Sequence, residues 1–336
     1  MSGTPTLAPE RPAEPIRMGF GRGLLAAGRD DPRVIALCAD LTESTQMHLF
    51  QEAFPERFIQ VGVAEQNLVT VAAGLAHAGY IPFTSSYAAF SPGRNWEQIK
   101  TTASLNDQPV KVVGSHTGLN VGPDGATHQM LEDLALMRVI PNMVVIAPAD
   151  SVEAEAATKA IASDHRPTYL RLARAATPSV FGEYGTFVIG KGLALRGGAD
   201  IGLVATGTMT GQAVAAAELL AARGIEASVL HLPTIKPLDE NALLELAERT
   251  RAIVTIEEAQ RAGGLGGAVA ELLGERRPTR MLRLGVDDRF GQSGTPESLL
   301  QAYGLDAQSL AGRIETWATS LPEWKRDSHG QTSPSR

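Results

Sequence analysis

The chain has 336 residues, is 43% hydrophobic and carries a formal net charge of −7, a length and composition that suit two domains with full cores. No apolar run is long enough to cross a membrane, the opening MSGTPTLAPERPAEP lacks the apolar centre of a signal peptide, and no basic stripe or aromatic ladder suggests nucleic acid. The single cysteine, Cys38, lies in the apolar stretch VIALCAD, so it excludes an internal disulfide, points to a reducing cytoplasm, and reads as a buried small hydrophobe rather than a nucleophile.

Residues 1–14 read as a disordered lead. Ile16–Asp30 is predicted as a helix and Arg33–Cys38 as a strand ending at Asp40-Leu41-Thr42-Glu43-Ser44. Strand ends bearing Asp, Thr and Ser are common ligand sites in parallel α/β sheets, and equally common helix caps; both readings stay open for Thr42 and Ser44. Phe58–Val63 is apolar and β-branched, as a strand entering a sheet should be. After Ala64-Glu65-Gln66-Asn67 the apolar positions Leu68, Val69, Val71, Ala72, Leu75 and Ala76 take up helical spacing. Glu65 therefore stands at a strand-to-helix junction, where the helix dipole favours a carboxylate. On those grounds alone it is also a plain first-turn acid.

A strand at Ile81–Ser85 leads through Tyr87–Arg94 to a helix from about Asn95. Val110–Gly114 is the next strand. The loop SHTGLNVGPDGATHQ then places glycines at 118, 122 and 125, suited to backbone that turns sharply beside a ligand. Helix Leu131–Arg138, strand Met143–Ala147, helix Val152–Ile161 and strand Thr168–Leu172 follow, the last ending near Arg174. This alternation predicts a doubly wound, mostly parallel sheet.

Pro178, Gly182 and Gly185 interrupt the pattern over Ala176–Phe187, placing a boundary between domains at 15–177 and 188–320. The second half repeats the α/β pattern: strand Ile201–Ala205, helix Gly211–Arg223, strand Ala227–Leu232, helix Glu240–Arg249, strand Ala252–Glu257, helix Gly267–Leu273 and strand Met281–Leu284. The run Gly263–Gly267 lacks G-x-G-x-x-G spacing and reads as a close-packed helix start rather than a dinucleotide site. Residues 321–336 are polar and are expected to be a disordered tail. The fold class is thus α/β, two consecutive doubly wound, mostly parallel sheet domains.

The segment VGVAEQN around Glu65, and the loop H-x-x-x-x-x-G-x-D-G-x-T-H-Q from His116 to Gln129, resemble the transketolase family. The likeness runs from about Ile16 to Trp317 and implies a pyrimidine-binding domain followed by a transketolase C-terminal domain. It implies thiamine diphosphate as cofactor, with Glu65 the catalytic acid that hydrogen-bonds N1′ of its aminopyrimidine. Tyr87 and Phe90 match aromatic positions of the pyrimidine pocket, Phe90 as the stacking ring, and Leu41 joins the cofactor-binding set. By the same match His116 contacts the sugar phosphate or nearby hydroxyls, Asp124 reads hydroxyl stereochemistry, and His128 bonds the reacting end of the ketose. His116 and His128 join Glu65 as expected catalytic residues. Arg17, Ser44, His116 and Arg174 match phosphate-contacting positions, and arginine's planar fork suits a phosphate monoester. A metal site at His116, Asp124 and His128 finds no supporting Cys/His spacing. The chain departs from the pattern at Ser91-Pro92-Gly93-Arg94, where many transketolases carry another aromatic.

The family holds the cofactor's diphosphate and Mg²⁺ with a Gly-Asp-Gly motif and a later asparagine, and no Gly-Asp-Gly occurs here. The resemblance therefore implies a split transketolase. This chain would be the C-terminal subunit, and the partner an N-terminal subunit bearing that motif and holding diphosphate and metal. The expected assembly is an α₂β₂ heterotetramer with the cofactor at a β–β or α–β interface. The expected reaction moves a two-carbon ketol unit from a ketose phosphate to an aldose phosphate. Three rivals remain: 1-deoxyxylulose-5-phosphate synthase, which usually has arginine where His116 stands; the β subunit of a 2-oxoacid dehydrogenase E1 component, which the D-G-x-T-H-Q loop fits poorly; and a non-catalytic scaffold, which would not require Glu65, Phe90, Asp124 and His128.

Overall fold

The computed structural model describes residues 6–7, 11–322 and 324. Its first half is built on a seven-stranded sheet. In spatial order the strands are Thr234–Lys236, Val144–Ile146, Thr168–Arg171, Lys111–Ser115, Ile81–Tyr87, Val34–Cys38 and Phe58–Gln60. Six run parallel, and Thr234–Lys236 joins Val144–Ile146 antiparallel at the edge. Every residue of Val34–Cys38 is buried, as expected for a central strand covered by helices on both faces. Cys38 lies wholly inside, where burial raises its thiol pKa.

The second half holds a five-stranded sheet in the order Leu193–Arg196, Ala227–His231, Ile201–Ala205, Ala252–Gln260 and Met281–Val286. Only Leu193–Arg196 is antiparallel. The architecture is therefore two α/β units with parallel-dominated sheets. They are interlocked, because Thr234–Lys236 leaves the second unit to complete the first sheet. Buried across the same junction, His231 Nε2 lies 2.8 Å from Glu153 Oε2, and Thr210 Oγ1 lies 2.7 Å from His231 Nδ1.

Two local features set up the site. The helix Ile16–Asp30 packs closely on Ser151–Ala162, because Gly19 and Gly23 face Ser151 and Thr158 with no room for a side chain. This fixes the start of the first helix, and with it Arg17, at the carboxyl ends of the strands. Asp150 caps the second helix through Oδ1 to the amides of Val152 (3.0 Å) and Glu153 (2.9 Å). Its Oδ2 accepts from Val180 and Phe181, each at 2.7 Å, and so pins the segment between the two units.

Several expectations need correction. The lead contains paired strands: Thr6–Leu7 against Phe181–Glu183, and Glu14–Pro15 against Ala176–Thr177. Residues 1–5 and 8–10 of that lead, and 323 and 325–336 of the expected tail, lie outside the described residues. The strand at Phe58 ends at Gln60, not Val63, since Gly62 turns the chain with φ of 72°. The helix from Asn95 is only Trp96–Gln98, continued by a wide π-type turn over Ile99–Ser104. The second unit ends in two further helices, Pro296–Ala302 and Ala307–Ser320. Gly263–Gly267 is the helix start expected of it: Glu257 accepts from the amides of Leu265 and Gly266, both at 2.8 Å.

Candidate active site

Glu65 is the first residue of the helix Glu65–His77 and is 2% exposed, flanked by the core residues Leu68 and Val69. A buried carboxylate needs a countercharge or hydrogen bonds. Arg94 supplies the charge, donating from Nη1 to Glu65 Oε2 at 2.7 Å. The guanidinium carbon of Arg94 lies 4.9 Å from the centre of the Phe90 ring. Asn95 Nδ2 donates to the Glu65 carbonyl at 2.8 Å and to Ser91 Oγ at 3.1 Å. The departure at Ser91–Arg94 is thus the segment that holds Glu65. Arg94 and Asn95 are the neighbours of Glu65 that sequence reasoning missed; the signal for Arg94 was an arginine in place of an aromatic.

A chain of rings leads from Glu65 to a cationic cluster. Phe90 meets His128 edge-on at 5.5 Å, and Tyr87 lies 6.0 Å from Phe90 with its plane nearly parallel. Tyr87 stacks on His116 at 3.8 Å. Arg17 Nη1 lies 3.2 Å from His116 Nε2. Because a guanidinium can only donate, Nε2 is the acceptor, and the ring proton sits on Nδ1, 2.9 Å from Ser115 Oγ. Burial, then Arg17, Arg174 and His128 in that order, lower the His116 pKa to about 3. His116 is a neutral, oriented imidazole.

Arg17 also donates to the Ser44 carbonyl at 3.2 Å, while Ser44 Oγ donates to the Leu41 carbonyl at 3.2 Å. Ser44 therefore meets Arg17 through its backbone and spends its hydroxyl on Leu41. Arg17 Nε is buried with no hydrogen-bond partner among the described residues. Arg174 Nη1 donates to the Val121 carbonyl at 2.6 Å and lies 3.3 Å from Asp124 Oδ1. Glu65, Phe90, Tyr87, His128, His116, Arg17, Ser44, Leu41, Arg174 and Asp124 are all brought to the carboxyl edge of the first sheet. That edge is the ligand-binding side of an open parallel sheet. Among the described residues no group of three His, Cys, Asp or Glu could hold a metal ion.

The fold and this cluster define a two-unit α/β protein with a buried acid, a row of packed rings and an anion-attracting end. The comparisons narrow the class. The transketolase pyrimidine-binding domain matches residues 15–179, and the transketolase C-terminal domain matches residues 190–310. The protein named for a transketolase C-terminal section in Methanocaldococcus jannaschii is 44% identical over 303 residues, 89% of this chain and 95% of that relative. The 6-deoxy-6-sulfo-D-fructose transketolase subunit of Clostridium sp. is 42% identical over 287 residues, covering 85% of this chain and 89% of the relative. A solved structure described as a split gene transketolase, an inactive β4 tetramer, superposes with a TM-score of 0.85 at 43% identity, covering 91% of this chain and 98% of that one. A 1-deoxy-D-xylulose-5-phosphate synthase of Caldanaerobacter subterraneus is 36% identical over 88% of this chain but only 47% of its own length. The chain belongs to the transketolase family, whose members generally use thiamine diphosphate and a divalent metal.

Proposed function

We propose that this chain is the C-terminal subunit of a split transketolase, transferring a two-carbon ketol unit from a ketose phosphate to an aldose phosphate. The observation that carries this reading is the path from buried Glu65, through Arg94, Phe90, His128 and Tyr87, to the His116–Arg17 pair. A cofactor-activating acid and an anion-binding end are what a phosphosugar ketol transfer needs within one site.

The residues present fit half of the cofactor. A buried carboxylate joined through Arg94 to an aromatic face suits an aminopyrimidine: Glu65 would meet N1′, and Phe90, Tyr87 and Leu41 would line the ring. The diphosphate and Mg²⁺ fall to a partner subunit, because the sequence has no Gly-Asp-Gly. When bound, thiamine diphosphate supplies the electron sink for carbon–carbon bond cleavage. Glu65, now paired with Arg94, would hold a proton at N1′. His128, beside Phe90, faces the reacting end of the sugar. His116, as a neutral acceptor fixed by Arg17, orients a hydroxyl or phosphate without adding charge. Arg17, with an unpartnered buried Nε, and Arg174 attract the phosphate.

The test is reconstitution. The chain is mixed with an N-terminal transketolase subunit bearing Gly-Asp-Gly and its asparagine, with thiamine diphosphate and Mg²⁺, in a buffered cytoplasm-like solution. Ketol transfer between a ketose phosphate and an aldose phosphate is expected from the mixture and from neither chain alone, in a complex with the mass of an α₂β₂ assembly. Full activity from this chain alone, or no activity from the mixture, overturns the reading. The likeness to 1-deoxyxylulose-5-phosphate synthases supplies a second arm. Carbon dioxide release from pyruvate with glyceraldehyde phosphate, without ketol transfer, would assign the chain to that chemistry instead.

A further inference from the structure

The loop from His116 to Gln129 belongs to the first unit, yet its shape is held from the second. Gly118 starts the turn with φ of 71°, and a side chain there would meet Glu258 Oε1 at 2.6 Å. The Asn120 amide donates to that same oxygen at 2.5 Å. The other carboxylate oxygen, Oε2, accepts from Thr208 Oγ1 at 2.6 Å. Further along, Gln129 Nε2 donates to the Gln292 carbonyl at 3.0 Å, and the Gln260 amide donates to the Leu131 carbonyl at 2.8 Å. Asn120 passes the constraint on, because its Oδ1 accepts from the Ala175 amide at 2.6 Å, next to Arg174.

Glu258 is itself fixed. Arg171, at the end of a first-unit strand, donates from Nη2 to the Glu258 carbonyl at 2.9 Å and from Nε to Asp133 Oδ2 at 2.8 Å. Tyr169 donates to the same Asp133 oxygen at 2.8 Å. Glu258, Arg171, Asp133 and Tyr169 are all buried. A surface carboxylate would do nothing for the loop, because water would compete for the Asn120 amide; a buried one gives that amide its one acceptor.

We propose that Glu258 is the positioning residue through which the C-terminal domain sets the His116–Asp124 loop, and with it the substrate-facing His116, Asp124 and Arg174. Glu258 touches no reacting atom. It acts by fixing Gly118 and Asn120, which lie between His116 and Val121–Asp124. Glu65 and its partner Arg94 come from other elements and make no contact with Glu258.

Two measurements on Glu258→Ala and Glu258→Gln test this. Backbone amide exchange is followed by mass spectrometry on the full chain alone. Glu258→Ala should exchange residues 118–125 about tenfold faster or more, with the helices Ile16–Asp30 and Ser151–Ala162 unchanged. Glu258→Gln keeps an acceptor for Asn120 and a polar partner for Thr208, and should stay near the parent. In the reconstituted complex, Glu258→Ala should lower kcat/KM for the ketose phosphate by about 10²-fold, the usual effect of a misplaced contact, while proton exchange at cofactor C2 keeps the parent rate. Unchanged loop exchange, exchange that accelerates across the whole chain, or a parallel loss of C2 exchange and turnover would each overturn the proposal. The kinetic arm rests on the proposed function and the exchange arm does not. A faster loop in a complex with no ketol transfer would thus sink the functional reading and leave the positioning role standing.

Discussion

Arg94 Nη1 lies 2.7 Å from Glu65 Oε2, so the acid expected to face the cofactor's aminopyrimidine is neutralised in this chain by its own arginine. The pair is lopsided: the Glu65 side chain is 2% exposed and that of Arg94 is 50% exposed. Solvent screens the arginine, whereas the carboxylate has little but this contact and the helix dipole to offset its burial. Removing Arg94 leaves a buried carboxyl without its partner. Arg94→Ala should therefore destabilise the isolated chain by about 1–2 kcal/mol in urea unfolding. Glu65→Gln made on the Arg94→Ala background should recover most of that loss. Additive effects in the double-mutant cycle would mean the two side chains do not act as a pair.

His116 carries a pH signature. Its pKa falls from 6.5 to about 3 in the folded chain, chiefly through burial and secondly through Arg17. Below pH 6.5 the unfolded chain binds a proton that the folded chain refuses, so this group's contribution is fully present above that pH and is lost on acidification toward pH 3. Relative to His116→Gln, the parent should lose about 2 kcal/mol of stability between pH 7 and pH 5. The His116 ring resonances should not titrate across pH 5–9. A ring titrating near 6.5 would contradict the burial and the Arg17 contact.

Glu257 acts in the opposite direction. Burial raises its pKa from 4.5 to about 7, against the amides of Gly266 and Leu265 that favour the carboxylate. The folded chain holds a proton that the unfolded chain releases, so stability is lost as pH rises from about 4.5 to about 7. The advantage of the parent over Glu257→Gln should shrink by about 2–3 kcal/mol between pH 5 and pH 8. An advantage that grows over this range would mean that Glu257 is ionised throughout.

How much of this was legible in the sequence follows from the range of each interaction. The Glu65 helix start was readable, because a change of apolar period and a first-turn acid are local signals. So was the His116–Gln129 loop, whose glycines mark backbone that L side chains rarely adopt; Gly118, Gly122 and Gly125 all have positive φ. The two edge strands, Leu193–Arg196 and Thr234–Lys236, were missed because they are short and carry no clear alternation. The helix at Pro296 has a readable start, since Thr295 caps it and proline occupies its first turn. Arg94 was visible only as a departure from a pattern, and its meaning needed the fold to bring it to Glu65. Glu258 left no sequence signal at all, because it meets Asn120 across 138 residues of chain.

Whether Glu65 activates the cofactor is decided by hydrogen–deuterium exchange at thiamine diphosphate C2 in the reconstituted complex, quenched at short times. Glu65→Gln keeps the shape of the side chain and can donate to N1′ but cannot transfer a proton. C2 exchange should slow by about 10²–10⁴, the range for a positioned acid–base group, with cofactor still bound. Exchange at the parent rate in Glu65→Gln with cofactor bound would reduce Glu65 to a helix-start acid and contradict the mechanism.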